Sequence, residues 1–212
     1  MEAYRKQNKT KECDRVFAEM NQTCLEFVPK SRSAWKIIIS LHNEFHERGL
    51  WAELRQICGN FMVFSQKEKD QKQIGFLKVR ISFYYYQEGK HKEAKRTGKE
   101  AVAFCHKHEE KCKKIFYDAY WTLAVVYLSL GYRWRRDQPE FNIAVFKGNT
   151  GNEGLDLLKI KKAKEASEKA LQFKKKYGTY RSGIDSEVKL LLDRAKCFLF
   201  LGEEEEMEES FR

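Results

Sequence analysis

The chain has 212 residues, of which 34% are charged, 14% are aromatic and 2 are proline, and its formal net charge is +10. This composition favours a mostly helical, well-packed chain over a disordered segment or a β-sandwich. No apolar run approaches the roughly 18 residues that a membrane span requires. The N-terminus lacks a hydrophobic signal core, so a cytoplasmic protein is expected, with a nuclear location as the alternative.

The positive charge is distributed unevenly. Residues 202–212 contain six glutamates and one arginine, so the rest of the chain carries +15. A basic body attracts nucleic acid, an acidic membrane surface or an acidic protein segment. Lysine-rich solvated faces of amphipathic helices explain the same charge equally well.

The first predicted helix runs from about residue 11 to 27 and ends before Pro29, which cannot continue it. It forms a capping or partial repeat within residues 1–30. A second helix, about 33–48, ends at Gly49, and its partner begins near Trp51. Together these two helices give a helical pair near residues 32–69.

The best-formed pair lies within residues 71–112. Aromatic and small residues precede Gly89 at helical spacing, and two alanines seven residues apart follow it. These positions are Ile81, Ser82, Tyr85, Tyr86, Ala94 and Ala101. Small residues allow two helices to approach closely, and glycine provides a left-handed helix end between them.

The same pattern recurs twice more along the chain. Leu123, Ala124 and Tyr127 precede Gly131, but the matching alanines, Ala163 and Ala170, come about 27 residues late. The third repeat is therefore placed at 113–177, with an insertion at 132–157. A fourth repeat begins near residue 184, has Gly202 as its turn, and is incomplete at residue 212, so a piece of a longer protein is expected.

The turn glycines are 40, 42 and 71 residues apart, and the last interval becomes 44 without the insertion. The chain resembles the tetratricopeptide repeat (TPR) superfamily in a long-period form. The resemblance implies one domain over residues 1–212, an all-α, right-handed α-solenoid of about nine antiparallel helices. It also implies a protein-interaction scaffold that binds a partner peptide or helix in a concave groove.

The first helix of each repeat lines that groove in TPR proteins. The residues that the resemblance assigns to partner binding are Asn43, Phe83, Tyr86, Gln87, Trp121, Lys189 and Lys196. Packing against a neighbouring repeat explains Phe83 and Trp121 as well as partner binding does. The chaperone-type carboxylate clamp is not reproduced, because Ile39 stands where its lysine is expected.

The insertion suggests an alternative function. Arg133, Trp134, Arg135 and Arg136 combine cationic and aromatic side chains, which can stack on bases and pair with phosphates. An RNA-binding helical repeat resembling the interferon-induced TPR proteins is therefore the second hypothesis. A protein hot spot or a plain surface loop has the same composition.

Enzymatic, metal and cofactor roles are not predicted. Cys105, His108 and Cys112 could share one helical face, but seven helical residues separate the two cysteines by about 10 Å, too far for one tetrahedral zinc ion. No C-x-x-C pair occurs, so the six cysteines are predicted to be free, mostly buried thiols. The oligomeric state is not predicted.

Overall fold

The computed structural model describes residues 49–131, 156–178 and 184–203, together with residues 15, 18, 19, 22 and 205, and side chains of the last helix from residue 188 onward. In these ranges every regular element is a helix. The six long helices are α1 (Trp51–Lys67), α2 (Gln71–Gln87), α3 (His91–Lys107), α4 (Phe116–Gly131), α5 (Leu157–Tyr177) and α6 (Ile184–Leu201). The prediction of an all-α fold is confirmed for this part of the chain.

Each long helix packs against the next one in sequence, and in addition α2 contacts α4 and α4 contacts α6. This arrangement places α4 at the centre of the described structure. Fourteen of its 16 residues are buried, so α4 has no extended solvent face. Of the predicted capping helix the structure describes only residues 15, 18, 19 and 22, which are helical. The helix predicted at 33–48 and residues 132–155 of the insertion predicted at 132–157 lie outside the described residues.

The turns at Gly49 and Gly89 have the same geometry. Both glycines adopt a left-handed φ, +68° and +74°. The carbonyl of each glycine accepts a hydrogen bond from the N–H two residues later, at 2.9 Å from Trp51 and 3.0 Å from His91. The sequence alignment of these two turns is therefore confirmed.

Lys69 occupies a position at the α1–α2 turn that glycine occupies elsewhere. Its φ is 55°, and its N–H bonds to Gln66 O at 3.1 Å while the next N–H, of Asp70, bonds to Ser65 O at 3.0 Å. Gly89 and Lys90 make the same two bonds at the end of α2. This is the Schellman ending of a helix, here formed without glycine.

Small residues bring α2 and α3 close together, as the sequence predicts. Ala94 and Ala101 are fully buried, and the Ser82 hydroxyl on α2 donates to the Ala94 carbonyl on α3 at 2.8 Å. A Cβ at Gly98 would lie 2.9 Å from Ser82 Oγ, so this contact requires glycine. Ser82 and Gly98 together set the spacing of the two helices.

Ala163 and Ala170 occupy the corresponding positions on α5. Both are buried, and α5 packs along α4 as α3 packs along α2. The delayed alanine pair is therefore confirmed as a packing feature of the third helix pair. Asp156 caps α5, because its carboxylate accepts a hydrogen bond from the Lys159 backbone N–H at 3.1 Å.

Gly131 does not act as the turn glycine that the sequence pattern predicts. It is the last residue of α4 and does not adopt a left-handed φ. A Cβ at this position would lie 2.3 Å from Ile160 Cδ1 on α5, so the glycine is required by close packing of two helices. The position of the helix end was predicted correctly. The predicted role of Gly131 as a turn glycine was wrong.

The second helix of the pair predicted within residues 71–112 does not continue to the end of that range. α3 ends at Lys107, and His108 has φ −124° and ψ 43°, outside the helical region. A four-residue helix, Glu109–Cys112, and a 3-10 turn, Lys113–Ile115, then lead into α4. Because the helix is broken at His108, Cys105 and Cys112 are not held apart by the length of one continuous helix.

Candidate interaction surface

The predicted groove residues of α2 are half-buried and contact one another. Phe83 meets Trp51 edge-on at 6.5 Å between ring centroids and lies 6.2 Å from Tyr86. Tyr86 also contacts the buried His91 ring at 5.8 Å. Gln87, the last residue of α2, is likewise half-buried. Much of this aromatic surface is therefore used in packing between α1, α2 and α3.

Trp121 is placed in the core between α4 and α6. Its side chain is 7% exposed and stacks on Tyr117 with ring centroids 6.4 Å apart. Burial raises the pKa of Asp193 on α6, although Lys196 and a hydrogen bond from Trp121 favour the ionised carboxylate. In this arrangement Trp121 links α4 to α6.

The outer face of α6 is the part of the predicted groove that is open to solvent. Lys189 and Lys196, both predicted as binding residues, are exposed. Leu192 is 49% exposed and Val188 is 45% exposed, whereas the equivalent positions of α4 are buried. On a helix, residues at spacings of four and seven share one side, so these four residues form a single stripe, here called the α6 face.

The electrostatics of the α6 face are positive, with a local acidic contribution. Lys196 Nζ lies 3.3 Å from Oδ1 of Asp193, whose side chain is 19% exposed. The raised pKa of Asp193 reflects burial that opposes its ionised form. Lysine ammonium groups that border exposed leucine and valine can attract a negatively charged, partly apolar segment. Val188 was not predicted as a surface residue from the pattern of turn glycines.

At one end of α4 and α5, lysines border a cluster of stacked aromatic rings in which Phe116 and Tyr120 are buried. Phe116 stacks on Phe173 at 4.2 Å between centroids, and Tyr120 stacks on the same ring at 5.4 Å. His106 Nε2 and the Tyr120 hydroxyl are 2.8 Å apart. The ammonium of Lys176 lies 4.6 Å from the Tyr177 ring centroid, so cations lie against the aromatic rings. We call this the aromatic end.

The remaining predicted binding residues lie outside the described part of the chain. These are Asn43 and the four insertion residues Arg133, Trp134, Arg135 and Arg136. Within the described residues, no group of three or more histidine, cysteine, aspartate or glutamate side chains could hold a metal ion. The same residues include no helix with the length and hydrophobicity needed to cross a bilayer.

No protein-family model, curated protein or solved structure matches this chain. The features that bear on function are the α6 face, which is open and apolar with flanking lysines, and the aromatic end.

Proposed function

We propose that this chain is a protein-interaction module and that the α6 face binds an acidic amphipathic segment of a partner protein. The observation that carries the proposal is the exposure of Val188 and Leu192 beside Lys189 and Lys196 on one side of α6. Covering two half-exposed aliphatic side chains would contribute roughly 1 kcal/mol each. The lysines favour a partner with carboxylates beside its apolar residues.

The architecture we propose for the whole chain is a right-handed, TPR-like solenoid of about nine helices. Two features support it: the repeated turn at Gly49 and Gly89, and the contacts of α2 with α4 and of α4 with α6. In such an array the first helices of successive pairs form one layer. The α6 face then belongs to the same layer as the predicted groove residues of α2 and α4.

The test uses a synthetic helical peptide in which leucines at spacings of three and four residues are flanked by glutamates. We expect the full chain to bind it, measured by fluorescence anisotropy at low salt. Leu192→Ala should weaken binding at least fivefold, and Lys189→Glu combined with Lys196→Glu should weaken it further. A peptide with lysines in place of the glutamates should not bind.

Val63 provides a matched control because it is 54% exposed but lies on α1, away from the α6 face. Val63→Ala should leave peptide affinity unchanged. Equal affinity of the Leu192→Ala variant and the unaltered protein would overturn the assignment of the site. Absence of binding to the glutamate peptide would overturn the proposed partner chemistry.

RNA binding is the second candidate, and the charge of α5 favours it. This helix contains eight lysines and two glutamates, and exposed lysines border the aromatic end. Single-stranded RNA binds to surfaces that combine cations with stacking platforms. Binding of a uridine-rich oligonucleotide should fall steeply with salt, and Lys169→Glu combined with Lys176→Glu should abolish it. No binding at low salt would exclude this function.

A further inference from the structure

Cys105 and Cys112 lie together in the core although they are seven residues apart. Both side chains are fully buried in the same hydrophobic cluster, and the two thiols lie close enough to shift each other's pKa. On one continuous helix seven residues advance about 10 Å along the axis. The contact therefore depends on the non-helical backbone of His108, with φ −124° and ψ 43°, between the two cysteines.

The N-terminal half of α2 provides space for this thiol pair. Cys112 Sγ donates a long hydrogen bond to the Gln71 carbonyl at 3.8 Å. A Cβ on Gly75 would lie 3.0 Å from the same sulfur. Glycine at residue 75 thus makes room for Cys112, and the sulfur is held against α2 rather than projecting into solvent.

The interaction between the two thiols makes them chemically unequal. It raises the pKa of Cys105 and lowers the pKa of Cys112, whose thiolate it favours. The buried cysteines on α1 and α6 behave differently, since burial raises the pKa of Cys58 and of Cys197 to about 12. Because the thiolate is the reactive form of cysteine, Cys112 is the best nucleophile of these four.

We propose that Cys105 and Cys112 form a modification site at which a hydroperoxide oxidises the two thiols to an intramolecular disulfide. The Cys112 thiolate attacks the peroxide, the O–O bond breaks, and the sulfur becomes a sulfenic acid as an alcohol or water leaves. The Cys105 thiol then attacks that sulfur, forming the S–S bond and releasing water. The two sulfurs lose two electrons in total, which reduce the peroxide.

Access to the buried pair comes from the connection between α3 and α4. The three residues that directly precede Cys112 (Glu109, Glu110 and Lys111) are exposed. The connection consists of a four-residue helix followed by a 3-10 turn. Such short elements open locally at a lower free-energy cost than the centre of a long helix. Cys58 and Cys197 lie within helices of 17 and 18 residues, so they are protected.

The experiment treats the full, folded chain with hydrogen peroxide, blocks remaining thiols with N-ethylmaleimide after unfolding, and digests the product with trypsin. We expect a disulfide-linked pair of peptides, 100–107 and 112–113, that separates on reduction with dithiothreitol. Cys58 and Cys197 should carry maleimide. Recovery of Cys105 and Cys112 as maleimide adducts, or linkage of either one to another cysteine, would overturn the proposal.

A second measurement identifies the attacking sulfur. In the Cys105→Ser variant, peroxide should convert Cys112 to a sulfenic acid that dimedone traps, whereas Cys105 in the Cys112→Ser variant should give at least fivefold less dimedone adduct. Cys58→Ser is the matched control and should retain the linked peptides. Equal trapping in the two variants would contradict the assigned order of attack. If a variant fails to fold, the peptide mapping of the unaltered chain still shows whether the disulfide forms.

Discussion

Arg55 on α1 donates two hydrogen bonds to Glu88 at the end of α2, from Nε to Oε1 at 2.6 Å and from Nη2 to Oε2 at 3.3 Å. The guanidinium also lies 4.6 Å from the Tyr85 ring centroid. Lys90 adds a contact to Glu88 Oε2 at 2.5 Å. The Glu88 side chain is 9% exposed and that of Arg55 is 26% exposed, so this forked ion pair is partly shielded from solvent and fixes the end of α2 against α1.

Glu88→Gln should lower the free energy of unfolding by about 1–2 kcal/mol at pH 7, because the charge-assisted hydrogen bonds are weakened. Burial disfavours the ionised form of Glu88, but the hydrogen bonds from Arg55 and Lys90 outweigh it and lower its pKa. Chemical denaturation measures the difference between the variant and the unaltered protein. Glu100→Gln, which removes an exposed partner of Arg96, should cost less than about 0.5 kcal/mol.

The effect of Glu88 should also depend on pH. A carboxylate whose pKa is lowered by folding contributes stability above its unfolded pKa of about 4.3, and loses this contribution as pH falls through its folded pKa. The difference between the Glu88→Gln variant and the unaltered protein should therefore be constant near neutrality and shrink below about pH 4. A difference that grows on acidification would contradict the role of the ion pair.

Lys69→Gly should stabilise the protein. Lys69 adopts φ 55°, where a side chain costs about 1 kcal/mol that glycine avoids, and the unfolded chain offsets part of this gain. We expect an increase of about 0.5 kcal/mol in the free energy of unfolding. Gly89→Ala, at the equivalent turn with φ +74°, should lower the free energy of unfolding by about 1 kcal/mol.

Gly131→Ala should destabilise the protein by about 1–3 kcal/mol, since the new methyl group would overlap Ile160. Ile160→Val removes the Cδ1 atom that the methyl would meet, so the double variant should recover part of the loss. Gly59→Ala is the matched control, because a Cβ at residue 59 meets no atom within 4 Å. It should leave stability unchanged or raise it by up to about 1 kcal/mol.

Trp121→Ala should lower the free energy of unfolding by about 3–5 kcal/mol, as expected for a large aromatic removed from a packed core. Phe83→Ala should cost less, because Phe83 is only half-buried. Thermal and denaturant unfolding monitored by circular dichroism distinguish the two. A Trp121→Ala variant with unchanged stability would mean that the ring is not the α4–α6 link described above.

The sequence allowed accurate prediction wherever a local pattern determined the structure. Gly49 and Gly89 mark real turns because left-handed backbone favours glycine, and Ala94 and Ala101 mark a close helix contact because small side chains permit it. Gly131 is also a glycine, but a different constraint requires glycine there. The presence of a glycine in a sequence does not reveal whether the backbone conformation or a neighbouring side chain requires it. At Gly131 the requirement comes from the side chain of Ile160, which is distant in sequence.

The helix break at His108 could not be predicted from the neighbouring residues in the sequence. The segment FCHKHEEKC contains no glycine or proline and has ordinary helix-forming residues, so local propensity predicts continuation. Burial of Cys112 against α2 and the start of α4 compete with that propensity. The open α6 face was partly predicted through Lys189 and Lys196, but the burial of Trp121 depends on how α4 and α6 pack, which periodicity does not specify.

The enclosure of α4 has a consequence for how the molecule opens. Its amides are surrounded by α2, α3, α5 and α6, so none can exchange with solvent until at least one neighbouring helix has separated. Hydrogen–deuterium exchange should therefore be slowest in residues 116–131 and should report the global free energy of unfolding there. Of the helices that the structure describes, the outer ones would separate first, and α4, the most apolar of them, would become exposed to solvent last.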